Sequence, residues 1–287
     1  MKSQTPNNLC NQCPRKCNAL RTEKENINGF CRMPLLPKVA RADLHFWEEP
    51  CISGKNGSGT VFFSGCPLKC VFCQNMEISA GGKGEVISYQ KLAEIFKALE
   101  DKGAHNINLV SPTHYVDAIK KTLDIYKPKI PIVYNSGGYD SVEALRSLEG
   151  YIDIYLTDLK YLSSERAKLY SRAENYPEIA EKAILEAYRQ QGKVVIENGI
   201  MQKGVIIRHL LLPQGTREAI AVFDFVRQNT PEAYFSIMSQ YTPLGEAESM
   251  PIINRKVTKR EYEKVLGYIA ESGFGNVFIQ ERTSADK

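Results

Sequence analysis

The sequence has no apolar run approaching the roughly 18 residues that cross a bilayer. Its opening, MKSQTPNNL, lacks the hydrophobic segment of a secretory signal. A membrane anchor and export are therefore not expected, and a cytoplasmic setting is. Charge of one sign is not in excess either: 37 basic against 33 acidic side chains leave a net charge of +4. The basic residues are scattered and fall mostly on predicted helices, so a nucleic-acid partner is not expected, although a weakly positive field suits an anionic substrate or partner. The glycine-rich GKNGSG (54–59) lacks the spacing and terminal Lys-Ser/Thr of a phosphate-binding loop and precedes a strand, which excludes that role. No cysteine occurs after Cys73.

What is present is organised. With 287 residues, 43% of them hydrophobic, the chain can bury one large domain plus a small extra module. Seven of its eight cysteines fall in two clusters: Cys10, Cys13, Cys17 and Cys31, then Cys66, Cys70 and Cys73, with Cys51 alone between them. Without a signal peptide, such tight spacings point to metal or redox chemistry rather than to disulfides.

From residue 61 onward, strand-like and helix-like segments alternate. VFFSG (61–65), INLVS (107–111), PIVYN (131–135), YIDIYLTD (151–158), GVIIRHLLL (204–212) and AYFSIMSQY (233–241) read as strands, with NVFIQ (276–280) as a further one. Helical periodicity fills the intervals at 88–103, 114–126, 141–148, 163–171, 177–191, 217–228 and 258–273. This rhythm predicts an α/β fold, a full or partial (β/α) barrel of about six parallel strands. A doubly wound open sheet is the runner-up. The expected division is a Cys-rich metal-binding module at 1–41, a linker at 42–59 and the barrel at 60–287. Chemistry is expected at the carboxyl ends of the strands, where Cys66, Cys70 and Cys73 follow the first one.

Soft thiolates select zinc, copper(I) or iron–sulfur clusters. A structural zinc site normally has four protein ligands, so three thiols leave one coordination position open. A four-iron cluster on three cysteines likewise has one iron free for a substrate or cofactor. The bland alternative is a zinc site completed by a distant residue, or three unrelated buried cysteines.

GCPLKCVFCQN (65–75), a C-x3-C-x2-C motif with Phe72 before the last cysteine, resembles the signature of the radical S-adenosylmethionine enzymes. Over nearly the whole chain, including CNQCPRKC, GAHNINLVSPTHY, IVYNSGGYDS, YIDIYLTDLKY and IIRHLLLP, the sequence is similar to the pyruvate formate-lyase activating enzyme branch and its PflX-like relatives. The resemblance implies a [4Fe-4S] cluster on Cys66, Cys70 and Cys73 whose open iron binds S-adenosylmethionine. It also implies reductive cleavage to a 5′-deoxyadenosyl radical that abstracts hydrogen from a substrate, and a flavodoxin- or ferredoxin-type electron donor. Cofactor contacts carried over from it are Asn135, Ser136, Asp158, Lys160 and Arg208. A buried Arg208 among aliphatic residues needs a partner, which the cofactor carboxylate would supply. Strand alternation turns His209 the other way, into a structural role. Where many relatives have Gly-Gly-Glu, this chain has SPTHY (111–115), which leaves the substrate class open. His114 there reads as a residue near the substrate or as a structural one. No residue is singled out as the hydrogen-abstraction partner.

Cys10, Cys13, Cys17 and Cys31 form a four-thiol set able to hold zinc or an auxiliary iron–sulfur cluster. Cys51 reads as a buried small hydrophobe. Trp47, with Glu48 and Glu49, reads as packing over the site or as a partner contact. The substrate is expected to be a glycine of a glycyl radical enzyme supplied in trans, because the chain has no such loop of its own. The alternatives are a small molecule or another protein or RNA residue, and, in a different class, a non-catalytic metal-stabilised binding protein. The lack of cysteines after Cys73 argues against relatives with a C-terminal auxiliary-cluster domain.

Overall fold

A computed structural model describes residues 9–280. The N-terminal module holds a two-stranded antiparallel hairpin, β1 (Leu20–Arg21) and β2 (Asn26–Ile27), turned by Thr22, whose hydroxyl accepts from the Glu25 amide at 3.0 Å. Then come β3 (Lys38–His45), α1 (Pro50–Ser53), β4 (Ser58–Phe63), α2 (Met76–Ser79), β5 (Glu85–Val86), α3 (Tyr89–Asp101), β6 (Ile107–Val110), α4 (Val116–Ile125), β7 (Ile132–Ser136), α5 (Val142–Ser147) and β8 (Ile154–Asp158). The rest of the chain forms α6 (Ser164–Ser171), α7 (Tyr176–Gln191), β9 (Val195–Glu197), β10 (Ile200–Leu210), α8 (Thr216–Asn229), β11 (Tyr234–Met238), α9 (Lys259–Glu271) and β12 (Val277–Ile279).

Seven strands, β4, β6, β7, β8, β10, β11 and β12, are parallel and lie side by side in sequence order. A doubly wound sheet would reverse its strand order at a switch point, and this one does not, so the runner-up fold is set aside. The antiparallel β3 and β5 extend the β4 edge, and among the described residues β5 and β12 are not paired to each other, so the barrel is partial.

The helices form where the periodicity places them, and local chemistry fixes their ends. Ser88 caps α3 through the Lys91 amide, and the buried Leu92, Phe96 and Leu99 recur at helical spacing. Thr258 and Glu261 make a reciprocal capping box on α9, a feature in which the Thr side chain alone contributes about 1 kcal/mol. Alternation along the strands sorts the core in two. Leu109, Tyr134, Tyr155, Val205, Ile207 and Phe235 pack toward the helices. On the opposite face Val133, Ile154, Leu156 and Ile206 pack against Cys51 and Ile52.

The short helix α1 therefore sits inside the curve of the sheet. Residues 42–59 hold the end of β3, all of α1 and the start of β4. The apolar pair Cys51–Ile52 draws α1 inward, since burying Ile52 is worth about 1.5–3 kcal/mol. The Ile52 carbonyl is satisfied there by the Asn106 side-chain amide at 2.7 Å.

Candidate active site

The loop after β4 carries the three cysteines. Gly65 opens it at φ +83°, and a Cβ there would lie 2.3 Å from Met33 of the N-terminal module, so only glycine fits. Each sulfur receives a hydrogen-bonding group: the Leu68 amide at 3.4 Å from Cys66, the Ser171 hydroxyl at 3.0 Å from Cys70 and the Ser79 hydroxyl at 3.3 Å from Cys73. Burial raises the Cys66 thiol, against the Leu68 and Lys69 amides and Lys160. It pushes Cys70 up to about 12, against the pull of Lys160. A bound metal reverses that preference, because it takes the thiolate.

The three cysteines line one pocket, about 160 Å³ in volume, at the carboxyl ends of the parallel strands. Asn135, Ser136, Asp158, Lys160 and Arg208 line the same pocket. These residues are far apart in sequence and meet because β7, β8 and β10 are neighbours in register, with Asp158 directly beside Arg208.

Arg208 needs no outside partner to be buried. Its Nε donates to Asp158 at 2.9 Å, one Nη to Glu48 at 3.1 Å and the other to Asn135 at 2.6 Å. The partners that a buried Arg208 requires are thus supplied by the chain itself. Three of the five guanidinium N–H groups are engaged, and two remain to donate. Lys160 pairs with the other Asp158 oxygen. Burial alone would raise the Asp158 carboxyl, but Lys160 and Arg208 hold it below its ordinary value. Burial alone would likewise lower Lys160 and Arg208, and their acidic neighbours raise both.

The Ser136 hydroxyl is already committed, donating to the buried Asp140 at 2.6 Å. Ser111, at φ +58° on the strand-end turn, also lines the pocket. His114 and His209 are both buried structural residues. His114 Nε2 lies 2.7 Å from the Ser64 carbonyl, and burial lowers it to about 3, with Arg21 adding to the effect. His209 Nδ1 lies 2.7 Å from the Leu159 carbonyl, and burial lowers it too.

Glu48, read from the sequence as packing over the site or as a partner contact, is an ion-pair partner of Arg208, a role the sequence reading did not assign. Besides Arg208 it accepts from the side-chain amides of Asn108 and Asn135, both at 3.1 Å. The available signal was electrostatic: a buried arginine at 208 requires acidic company, and the Glu-Glu step just before the apolar α1 could supply it. Trp47 beside it is 70% exposed.

The four N-terminal cysteines also gather. Burial pushes Cys13 up to about 12, and Cys31, Cys10 and Cys17 are near enough to repel its charge. Among the described residues, no three Cys, His, Asp or Glu side chains converge closely enough to share a single metal ion. For Cys66, Cys70 and Cys73 the donor set fits an iron–sulfur cluster: the three thiolates would hold it at the pocket, with N–H and O–H groups already beside the sulfurs.

Residues 60–225 match the family model of the Radical SAM superfamily. The chain belongs to the radical SAM superfamily. It is 34% identical over 267 residues to an uncharacterized protein of Methanocaldococcus jannaschii, covering 90% of this chain and 73% of that one. Solved structures share the fold. SuiB of Streptococcus suis superposes with a TM-score of 0.54 at 17% identity over 78% of this chain, and methylornithine synthase with 0.51 at 14% identity over 77%. The chain spans 48% of the SuiB chain and 63% of the synthase chain. Superfamily membership implies a [4Fe-4S] cluster and S-adenosylmethionine. No helix among the described residues is long and apolar enough to cross a membrane.

Proposed function

We propose that this radical SAM protein is an activating-enzyme-like catalyst that abstracts hydrogen from a glycine of a partner glycyl radical enzyme. The observation that carries the chemistry is the single pocket shared by Cys66, Cys70, Cys73, Asp158, Lys160 and Arg208. The three thiolates would hold the cluster. When bound, the cluster and S-adenosylmethionine supply a 5′-deoxyadenosyl radical at the cost of one electron from a flavodoxin- or ferredoxin-type donor.

The protein's share is placement. Arg208 and Lys160 offer positive charge to the methionine carboxylate of the cofactor, and Asn135 and Asp158 offer hydrogen-bond acceptors to its ammonium or ribose hydroxyls. The fixed Glu48–Arg208–Asp158 network keeps those groups oriented before the ligand arrives, so little reorganisation is needed on binding. Cys10, Cys13, Cys17 and Cys31 are a second metal site in this proposal. The similarity of GCPLKCVFCQN and the DLK element (158–160) to the activating enzymes supports the choice of a glycyl substrate.

The test is anaerobic. The protein is reconstituted with iron and sulfide, reduced with dithionite and assayed for 5′-deoxyadenosine from S-adenosylmethionine. Cleavage that disappears in Cys66→Ala, Cys70→Ala and Cys73→Ala supports the chemistry, and cleavage retained in any of them sinks it. A glycyl-radical EPR doublet on a candidate partner tests the substrate. Turnover on a small molecule with no such doublet would replace the glycyl reading with the small-molecule one.

A further inference from the structure

We infer that Glu49 is a positioning residue for Arg208: its carboxyl is kept protonated in the barrel interior, so that the Arg208 charge stays available to the carboxylate of an incoming ligand. This rests on the proposed contact between Arg208 and the methionine carboxylate of S-adenosylmethionine.

Glu49 is 4% exposed and has no part in the network described above. It stands at the start of α1, where its carbonyl accepts from the Ile52 and Ser53 amides at 2.8 and 3.0 Å. The burial of Cys51 and Ile52 therefore carries the Glu49 side chain inside with the helix. There it faces Ser236, which lies directly beside Arg208 in the β10–β11 register. Glu49 Oε2 and Ser236 Oγ are both buried, and neither completes a hydrogen bond.

The charges around it decide the state of Glu49. Glu48 and Asp158 bond to Arg208, and Lys160 bonds to Asp158. Two carboxylates and two cations balance there, and an ionised Glu49 would add a third negative charge beside cations already engaged. Such a buried charge is costly, and a proton removes it. Burial raises the Glu49 carboxyl, against the pull of Arg208 and with the help of Glu48. Cys51 is pushed up to about 12 by burial, with Glu49 adding to it, and so brings no charge. With Glu49 protonated, the charges of these side chains sum to zero, and the two free Arg208 N–H groups can donate to an anion. With Glu49 ionised, the same interior would be negative and would repel a carboxylate. Glu49 lies outside the pocket lining, so it acts through Arg208.

Infrared spectroscopy and ligand binding test this on the full-length protein. At pH 7 the unaltered protein should show the carbonyl stretch of a protonated carboxyl that Glu49→Gln lacks. In the reconstituted, unreduced protein, Glu49→Gln, which copies a neutral acid, should bind S-adenosylmethionine within about threefold of the unaltered protein. Glu49→Leu, which takes the polar neighbour away from Ser236 and Arg208, should bind it about tenfold more weakly while keeping the circular dichroism of the folded protein. Absence of the acid band, or binding about tenfold tighter in Glu49→Gln, means an ionised Glu49 and overturns the inference. A folded Glu49→Leu that binds like the unaltered protein also overturns it, because Glu49 then does nothing for Arg208. No binding by the unaltered protein, with the acid band present, would instead refute the cofactor contact and leave the protonated Glu49 standing.

Discussion

The Glu48–Arg208 pair joins a residue of the β3–α1 connection to one in β10, and it offers the sharpest test of how the site is held. Glu48, Asp158 and Arg208 are each nearly buried, at 11%, 14% and 14% side-chain exposure. Arg208→Gln leaves two carboxylates facing each other without their shared cation, a loss of about 3–5 kcal/mol for a broken buried pair. Glu48→Gln keeps the Asp158–Arg208 bond and removes one charge-assisted hydrogen bond, about 1.5–3 kcal/mol. The two losses overlap, because Glu48 is part of what makes an absent Arg208 costly. The double variant should therefore be more stable than the summed single losses require, by about 1–3 kcal/mol. Urea unfolding of the four metal-free proteins at neutral pH under reducing conditions measures this coupling. Additivity within about 0.5 kcal/mol would refute the view that these side chains act as one network. The same substitution should weaken S-adenosylmethionine binding by Arg208→Gln in the reconstituted protein, and unchanged affinity would remove Arg208 from the proposed cofactor contacts.

Further expectations concern residues around the site. Gly138 has φ +80°, and an added Cβ would come within 2.1 Å of the Asp158 carbonyl oxygen, so Gly138→Ala should cost more than about 1 kcal/mol in urea unfolding and displace Asp158. His114 is held neutral, lowered from 6.5 to about 3. A lowered folded value means that the unfolded chain binds the proton first, so stability falls as pH drops from 6.5 toward 3, by roughly 2 kcal/mol at pH 5. His114→Gln should flatten that dependence between pH 7 and 5 in unfolding curves; an unchanged slope assigns it elsewhere, His209 being lowered in the same direction. Asp158 acts lower on the scale: its depressed value keeps its contribution intact above its ordinary 3.8 and loses it as pH falls further, which acid unfolding of Asp158→Asn would expose as a missing transition. Trp47→Ser should leave stability within about 0.5 kcal/mol, because the ring is exposed.

The sequence by itself determined the local features. Periodicity placed the helices, and the C-x3-C-x2-C spacing after a strand announced a thiolate site with an open position, because each depends on residues a few positions apart. Alternation also turned His209 away from Arg208 correctly. Tertiary structure decided what depends on distance in the chain. Only the sequential order of the parallel strands separates a partial barrel from a doubly wound sheet, and no single strand carries that information. Only the packing of Cys51 and Ile52 inside the barrel explains why the preceding Glu48 reaches Arg208, 160 residues away. Likewise, the partners of a buried Arg208 are supplied by Glu48, Asn135 and Asp158, residues that no reading of its own segment points to. Hydrogen-bond and ion-pair satisfaction is settled by which groups the fold brings within about 3 Å, and that is a property of the packed molecule rather than of any segment.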